Sequence, residues 1–391
     1  MNAFQKAPGQ EKLPPALLGQ LLDCDAHLYM EPDFFRELIG PAGGGHVLDY
    51  MTKFSGTEED KAARERAKTE VWKVKGLSAL GAADAGDRLV AMDAMGVRGQ
   101  LLFPQTSGRE LRMRTAEARA ACSRYNDFAI EWSRSTGDRA RAACQVNMSD
   151  VAWSMAELDR ILKKGARAVV LPCSRAPAGV SPANEIWDPF WARLEEANVP
   201  ALLHIGGGGL VSGATDDDPM FPSHEFARGK AMQAKFVDRP GGEEAIGPFF
   251  FMVAHIAPEV WLVSMVMGGV FERFPKLRFG AIEFGAAWVG PMCERMEQHA
   301  DLLARIGHAY PLRPSEYLRR NVRVTPFWQE DVDLMIQRHG LREVFTFSSD
   351  YPHIEGTRDP IGKFLAAMKN ADEAYLRDFF VDNAKLLFPG I

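Results

Sequence analysis

The sequence predicts an α/β protein, a (β/α)8 TIM barrel with two long insertions. Three observations carry that expectation: eight strand-like runs alternate with helical runs, four of those runs end in polar residues, and no Gly-x-Gly-x-x-Gly turn follows the first run. An open doubly wound sheet would usually need fewer strands and that glycine turn.

The first strand is Leu21-Leu22-Asp23-Cys24-Asp25-Ala26-His27. A strand period of two puts Asp23, Asp25 and His27 on one face and Leu22, Cys24 and Ala26 on the other, beneath a layer of helices. Residues 1–20 are polar and proline-bearing, lack the pattern of a secretory signal, and read as a loose leader. Residues 32–86 are too long for a simple connection and form the first insertion, with a helical run over 58–74. Such an excursion suits a lid or a subunit contact.

Regular alternation then begins. A helix over 88–95, closed by Gly96, leads to strand two at 98–104; a helix over 116–136 leads to strand three at 141–146. The helix at 151–164 ends on Gly165 before strand four at 168–172, and Asp188-Pro189 opens the helix at 188–198 in an N-cap and first-turn arrangement before strand five at 200–205. Residues 206–247, rich in glycine and aspartate, are the second insertion. The Gly206 to Gly209 run lacks the Lys-Ser/Thr ending of a phosphate loop and reads as a flexible edge beside a site. A long helix over 248–274, strand six at 277–283, a helix over 290–306, strand seven at 322–325, a helix over 330–339 and strand eight at 344–349 follow, with closing helices at 359–368 and 374–387. One domain spanning 1–391 is expected.

Composition narrows the partners. With 46% hydrophobic and 25% charged residues the chain is an ordinary globular one, and a net charge of -6 with a pI near 5.9 leaves no strongly basic segment for nucleic acid. The apolar stretch 248–270 is interrupted by His255 and Glu259, so a buried amphipathic helix explains it better than a membrane span. Five scattered cysteines without C-x-x-C spacing suggest a reducing compartment, hence the cytoplasm.

A barrel carries its chemistry at the C-terminal ends of its strands. Strand one ends in Asp25-x-His27, strand five in His204, strand six in Glu283, and strand eight in Ser348-Ser349-Asp350. Alone, each reads as a cap or a hydrogen-bonded surface residue; their coincidence points to one divalent ion on Asp25, His27, His204 and Asp350. Oxygen and imidazole ligands without thiolates suit zinc foremost, with manganese or iron as alternatives. Asp350 could also take a proton from a metal-bound water. His255 and Glu259, one turn apart, could couple as an imidazole oriented by a carboxylate, and Arg109, beyond strand two, could grip a substrate carboxylate.

Several stretches together resemble the amidohydrolase-related family that includes 2-amino-3-carboxymuconate-6-semialdehyde decarboxylase and aromatic-acid decarboxylases. They are Asp25-Ala26-His27 with Glu31-Pro32, Leu203-His204, the run from Met267 to Leu277, Glu283 with Trp288, Ser349-Asp350-Tyr351-Pro352-His353, and Asp382-Asn383-Ala384. The resemblance implies a distorted barrel with one essential divalent metal on His27, His204 and Asp350, and a homo-oligomer, expected to be a dimer. The first ligand, His or Glu in many decarboxylase members, is Asp25 here, and Glu283 stands where they carry a catalytic histidine. The resemblance implies decarboxylation of a small organic acid, with His255 or Glu283 delivering the proton; His353, just past the proposed metal, is expected beside the substrate, shaping the loop rather than transferring protons. The alternatives are hydrolysis of an amide, ester or lactone-type bond, iron-dependent oxygen chemistry, and a metal-stabilised subunit of an active partner.

Overall fold

A computed structural model of the chain describes residues 8–40, 46–105, 113–173, 175–205, 237–242, 247 and 252–391. Strand β1 (Leu21–Leu28) pairs in parallel with β2 (Val97–Pro104), and β2 with β3 (Ala140–Ala142). Strands β4 (Cys144–Gln145), β5 (Val169–Leu171), β6 (Ala201–His204), β7 (Phe279–Ile282) and β8 (Val322–Val324) form a second parallel ladder in that order. The two ladders are one surface. β3 and β4 are a single stave interrupted at Ala143, whose N–H donates to the Leu102 carbonyl at 2.8 Å, while the Cys144 N–H donates to Ala168 at 2.9 Å. On the far side the Thr346 N–H donates to Val324 (3.1 Å), Cys24 to Phe347 (3.1 Å), Asp350 to Asp25 (2.9 Å) and His27 to Tyr351 (2.7 Å). Residues 345–351 are therefore the eighth stave, and the (β/α)8 barrel closes.

The helices start and stop where their caps dictate. Val151–Lys164 begins after Asp150, whose side chain accepts from the Trp153 N–H, and ends at Gly165 with φ 95°, a left-handed position that glycine takes without a Cβ clash. The helix expected over 248–274 begins on residues outside the described ones (248–251); within the described part it runs Ile256–Met267, then a separate turn Val270–Arg273 follows, because Gly269 at φ 73° breaks the ladder. The closing helix expected at 374–387 is likewise three short pieces, Glu373–Arg377, Asp378–Asp382 and Asn383–Leu386.

Strict alternation along β1 does not hold. Register shifts between Asp23 and Ala26 re-aim the strand. Leu22 and Cys24 face the barrel interior with Leu101, Phe103, Val170 and Leu202, while Ala26 packs in the outer cluster between sheet and helices. Leu387 and Phe388 complete the inner cluster. The leader is held from its second half on: Leu13 and Leu17 are buried, and Gln10 Nε2 donates to the Ala94 carbonyl at 2.6 Å.

The described residues of the first insertion include helices α1 (Pro32–Ile39), α2 (His46–Phe54) and α3 (Glu58–Ala67); its helical run stops at Ala67 rather than continuing to 74. Its last part docks on the loop after the eighth stave. The Gly76 N–H donates to the Pro352 carbonyl at 2.8 Å and Lys75 Nζ to the Thr357 carbonyl at 3.3 Å. Burial lowers the Lys75 ammonium from 10.5 to about 8, against the partial opposition of Asp350 and Glu355. Between those values the unfolded chain holds a proton that the folded chain has released, so stability rises with pH across that window. Lys75→Met removes the buried charge. In urea denaturation at pH 7.5 and 9.5, the variant's advantage over the wild type should shrink by on the order of 2 kcal/mol at the higher pH; a gap that does not change with pH would contradict this account.

Candidate metal centre

The ends of β1, β6, β7 and the eighth stave converge. One ligand atom each from Asp25, His27, His204 and Glu283 lie within 4.8 Å of one another, and a second group, His27, Glu283, Asp350 and His353, does the same. The groups share His27 and Glu283. His27 Nε2 lies 3.5 Å from Asp25 Oδ1 and 3.3 Å from Asp350 Oδ1; His204 Nε2 lies 3.3 Å from Asp25 Oδ1 and 3.1 Å from Glu283 Oε2. All are buried except Asp350, which is partly exposed. Phe103 stacks on the His204 ring at 4.0 Å and the His353 ring stacks on His27 at 3.4 Å, which fixes both metal-facing imidazoles in plane.

Two residues reach the centre through unusual backbone. Glu283 (φ 65°) and Asp350 (φ 54°) are left-handed at non-glycine positions, a conformation that costs of order 1–3 kcal/mol and persists where surrounding structure over-determines it. Here the surroundings are explicit. The Glu283 N–H donates to Thr325 Oγ1 at 2.8 Å, and the Glu330 carboxylate accepts from the N–H groups of Ala287 (2.8 Å), Ala286 (2.9 Å) and Phe327 (2.7 Å), tying the loop after β7 to the loop after β8. Asp23 accepts from the Ser349 N–H (2.9 Å), Ser349 Oγ (2.6 Å) and Gln100 Nε2 (2.7 Å), which fixes the residue before Asp350. Arg88, on helix α4 (Ala85–Met95), completes this support by donating to Gln100 Oε1 at 3.0 Å and to the His27 carbonyl at 2.7 Å.

The donor set fits a cation. His27 Nε2, Glu283 Oε2 and Asp350 Oδ1 are buried yet have no hydrogen-bond partner among the described residues; buried polar atoms are otherwise almost always paired. His204 Nδ1 lies 2.6 Å from the Ile205 carbonyl, which can only accept, so Nδ1 carries a proton and the neutral ring presents a lone pair at Nε2. That lone pair faces two carboxylates. Burial alone lowers the His204 imidazole, but Asp25 and Glu283 outweigh it and lift it to about 10, so the site demands a positive charge at that point, a proton or a metal ion. Burial alone would raise Glu283; His204 and His353 override it and hold the carboxyl well below the usual carboxylate range.

The residues expected from the sequence divide. Asp25, His27, His204, Glu283, Asp350 and His353 come together; Arg109 lies outside the described residues. His255 does not join the described cluster: it sits at the start of Ile256–Met267 with Nε2 4.0 Å from Glu259, a carboxylate that also pairs with Arg295. The coupled pair exists at a helix start, and among the described residues no contact links His255 to the cluster. Glu283 is an ionised carboxylate and not a resting acid. Sequence reading passed over Gln105, which hydrogen-bonds the His353 imidazole, and Glu330, which ties the loops. Gln105 directly follows β2, so the strand-end rule would have found it; Glu330 lies in a loop with no such signal.

A closed parallel barrel with buried imidazoles and carboxylates gathered at its C-terminal strand ends has the arrangement of a barrel enzyme's active site. A family model described as Amidohydrolase matches residues 22–390, and the chain belongs to that family. Among solved structures, it is similar to an amidohydrolase from Mycobacterium avium subsp. paratuberculosis K-10, with 21% identity, TM-score 0.65, and 94% of this chain and 99% of that one covered. It is also similar to 5-carboxyvanillate decarboxylase from Novosphingobium aromaticivorans DSM 12444 with bound manganese (19% identity, TM-score 0.62, 98% and 99% covered). A third similar structure is 2,6-dihydroxybenzoate decarboxylase complexed with 2,6-dihydroxybenzoate (19%, 0.61, 94% and 99%). No helix among the described residues is long and apolar enough to cross a membrane.

We propose that Asp25, His27, His204 and Asp350, joined by Glu283, hold one divalent ion. Elemental analysis of His204→Ala should find most of the metal gone with circular dichroism unchanged, while His255→Ala keeps its full complement. Full occupancy in the His204 variant would sink the assignment.

Proposed function

We propose that this chain is a metal-dependent carboxy-lyase that releases carbon dioxide from a small organic acid without net oxidation. The observation that carries the reading is the cavity beside the centre. Of about 90 Å³, it is lined by Asp25, Glu283, Asp350 and Glu355 together with Pro326, Phe327, Trp328 and Phe364. An apolar, ring-bearing lining together with charged groups suits a flat acid whose carboxylate points at the centre. The likeness to decarboxylases of aromatic acids supports the same reading.

A bound divalent ion would polarise the substrate's carboxylate or a neighbouring oxygen. In the step itself the bond from carbon to carboxylate breaks, carbon dioxide leaves, and the electron pair left on carbon takes a proton. Glu283, held ionised, orients and does not donate. His353 is the imidazole placed for the donation: its Nδ1 lies 2.9 Å from Asp350 Oδ1 and 3.9 Å from Glu283 Oε1, and Gln105 holds its other nitrogen. It replaces His255 in this role. The aromatic wall keeps water from the carbon until the proton arrives.

Zinc is the ion we favour on donor chemistry, with manganese or iron as alternatives. The five unbridged, buried cysteines support a cytoplasmic setting. Exposed Ile256, Val260 and Val263 on one helix face support a second copy as partner.

Hydrolysis is the second reading, favoured by Asp350. Its Oδ1, 3.3 Å from His27 Nε2 and 2.9 Å from His353 Nδ1, is a carboxylate oxygen beside the centre that could take a proton from an attacking water. The two chemistries separate cleanly. Turnover of a hydroxybenzoic acid panel in deuterated water should leave deuterium on the carbon that lost its carboxylate, and His353→Gln should lower kcat about 100-fold with its metal retained. Oxygen from heavy-oxygen water in a new carboxylate, with no carbon dioxide released, would replace the lyase with the hydrolase.

A further inference from the structure

The opposite, N-terminal mouth of the barrel holds a second polar site, built from arginines. A cavity of about 420 Å³ there is lined by Arg98, Arg139, Arg141 and Arg167 together with Asp138 and Ile391. Gly99 lies under the segment after Leu387: a Cβ at that position would stand 2.8 Å from Ile391 Cδ1, 3.0 Å from Leu22 Cδ2 and 3.3 Å from Phe388 Cε1, so a larger residue would push the end of the Ile391 side chain aside.

The charges around this cavity do not balance. Arg139 pairs with Asp93 at 2.8 Å and Arg167 with Asp138 at 2.7 Å. Arg98 and Arg141 have no carboxylate partner among the described residues, and Ile391 makes no ion pair with any of the four. Arg98 is exposed at the rim, where it reaches Gln20 at 3.4 Å. Arg141 is the anomaly. It is only 3% exposed; its Nε donates to the Asp138 carbonyl at 3.1 Å, its guanidinium lies 5.6 Å from the Phe388 ring centroid, and its Nη1 has no hydrogen-bond partner among the described residues. Arg88, equally buried, places its three nitrogens on three oxygen acceptors. A guanidinium buried with so few acceptors, whose opposing charge is an Asp138 already paired with Arg167, is costly, and Arg141 lines a cavity of the size that small-molecule sites occupy.

We infer that this cavity binds a small anion bearing phosphate or carboxylate groups, with Arg141 as its buried anchor and Arg98 closing on it from the rim. Guanidinium forks match the paired oxygens of both groups, and the site lies at the end of the barrel away from the metal centre, so its ligand is an effector and not the substrate. The test is calorimetric titration of the metal-loaded full chain with inorganic phosphate and with succinate at fixed ionic strength. Saturable binding of either, weakened at least tenfold in both Arg98→Ala and Arg141→Gln, is the expected result; phosphate alone assigns a phosphoryl ligand and succinate alone a carboxylate. Because Arg98 is exposed, its variant decides the matter even should Arg141→Gln fail to fold. Absence of saturable binding to the wild type, or binding unchanged in the Arg98 variant, would overturn the inference.

Discussion

Three carboxylates and three imidazoles crowd one end of the barrel, and the structure around them exists to keep them there. Asp25, Glu283 and Asp350 face His27, His204 and His353 across 2.9–3.9 Å. Like charges this close in a dry site repel unless a cation lies among them. The parallel staves bring residues 25, 204, 283 and 350 to one level, and the ladder bond from the Asp350 N–H to Asp25 locks the first stave to the last. Left-handed backbone at Glu283 and Asp350 turns two of the carboxylates inward, and the buried Asp23, Gln100 and Glu330 hold those turns in place.

The proton economy follows from the same crowding. Burial alone would make Glu283 a neutral acid, but two imidazoles keep it charged, which removes it as a donor and leaves it to orient. His353 lies between Asp350 and Gln105, stacked on His27, so that ring sits within the cluster, next to Asp350, which lines the cavity. In the proposed reaction the aromatic and proline wall has a partner: the charged residues would grip an acid, and the apolar ones would shield the carbon beside it.

Much of this was legible in the sequence because strand ends are local signals. Asp25-x-His27, His204, Glu283 and Asp350 each follow an apolar run, and a barrel places such residues together. The bulge in β1 was not legible. Alternation predicted Asp23 beside Asp25 and His27, whereas Asp23 serves Ser349 and Gln100, because a register shift depends on the neighbouring strand and not on the strand itself. The His255 pairing was legible as well: its spacing to Glu259 is real and the pair forms, but helical spacing alone does not say which way a helix start faces. Arg141 reads as an ordinary charged residue on a short strand; only the packing of the segment after Leu387 shows that it is buried beside a cavity.

The claim on which the rest depends is that one divalent ion neutralises this cluster, and anomalous diffraction from crystals of metal-supplemented protein tests it most directly. Data collected on either side of the metal absorption edge should give one peak among His27 Nε2, His204 Nε2 and the Asp25 carboxylate. A map with no peak there, or with its peak elsewhere in the chain, would contradict the account.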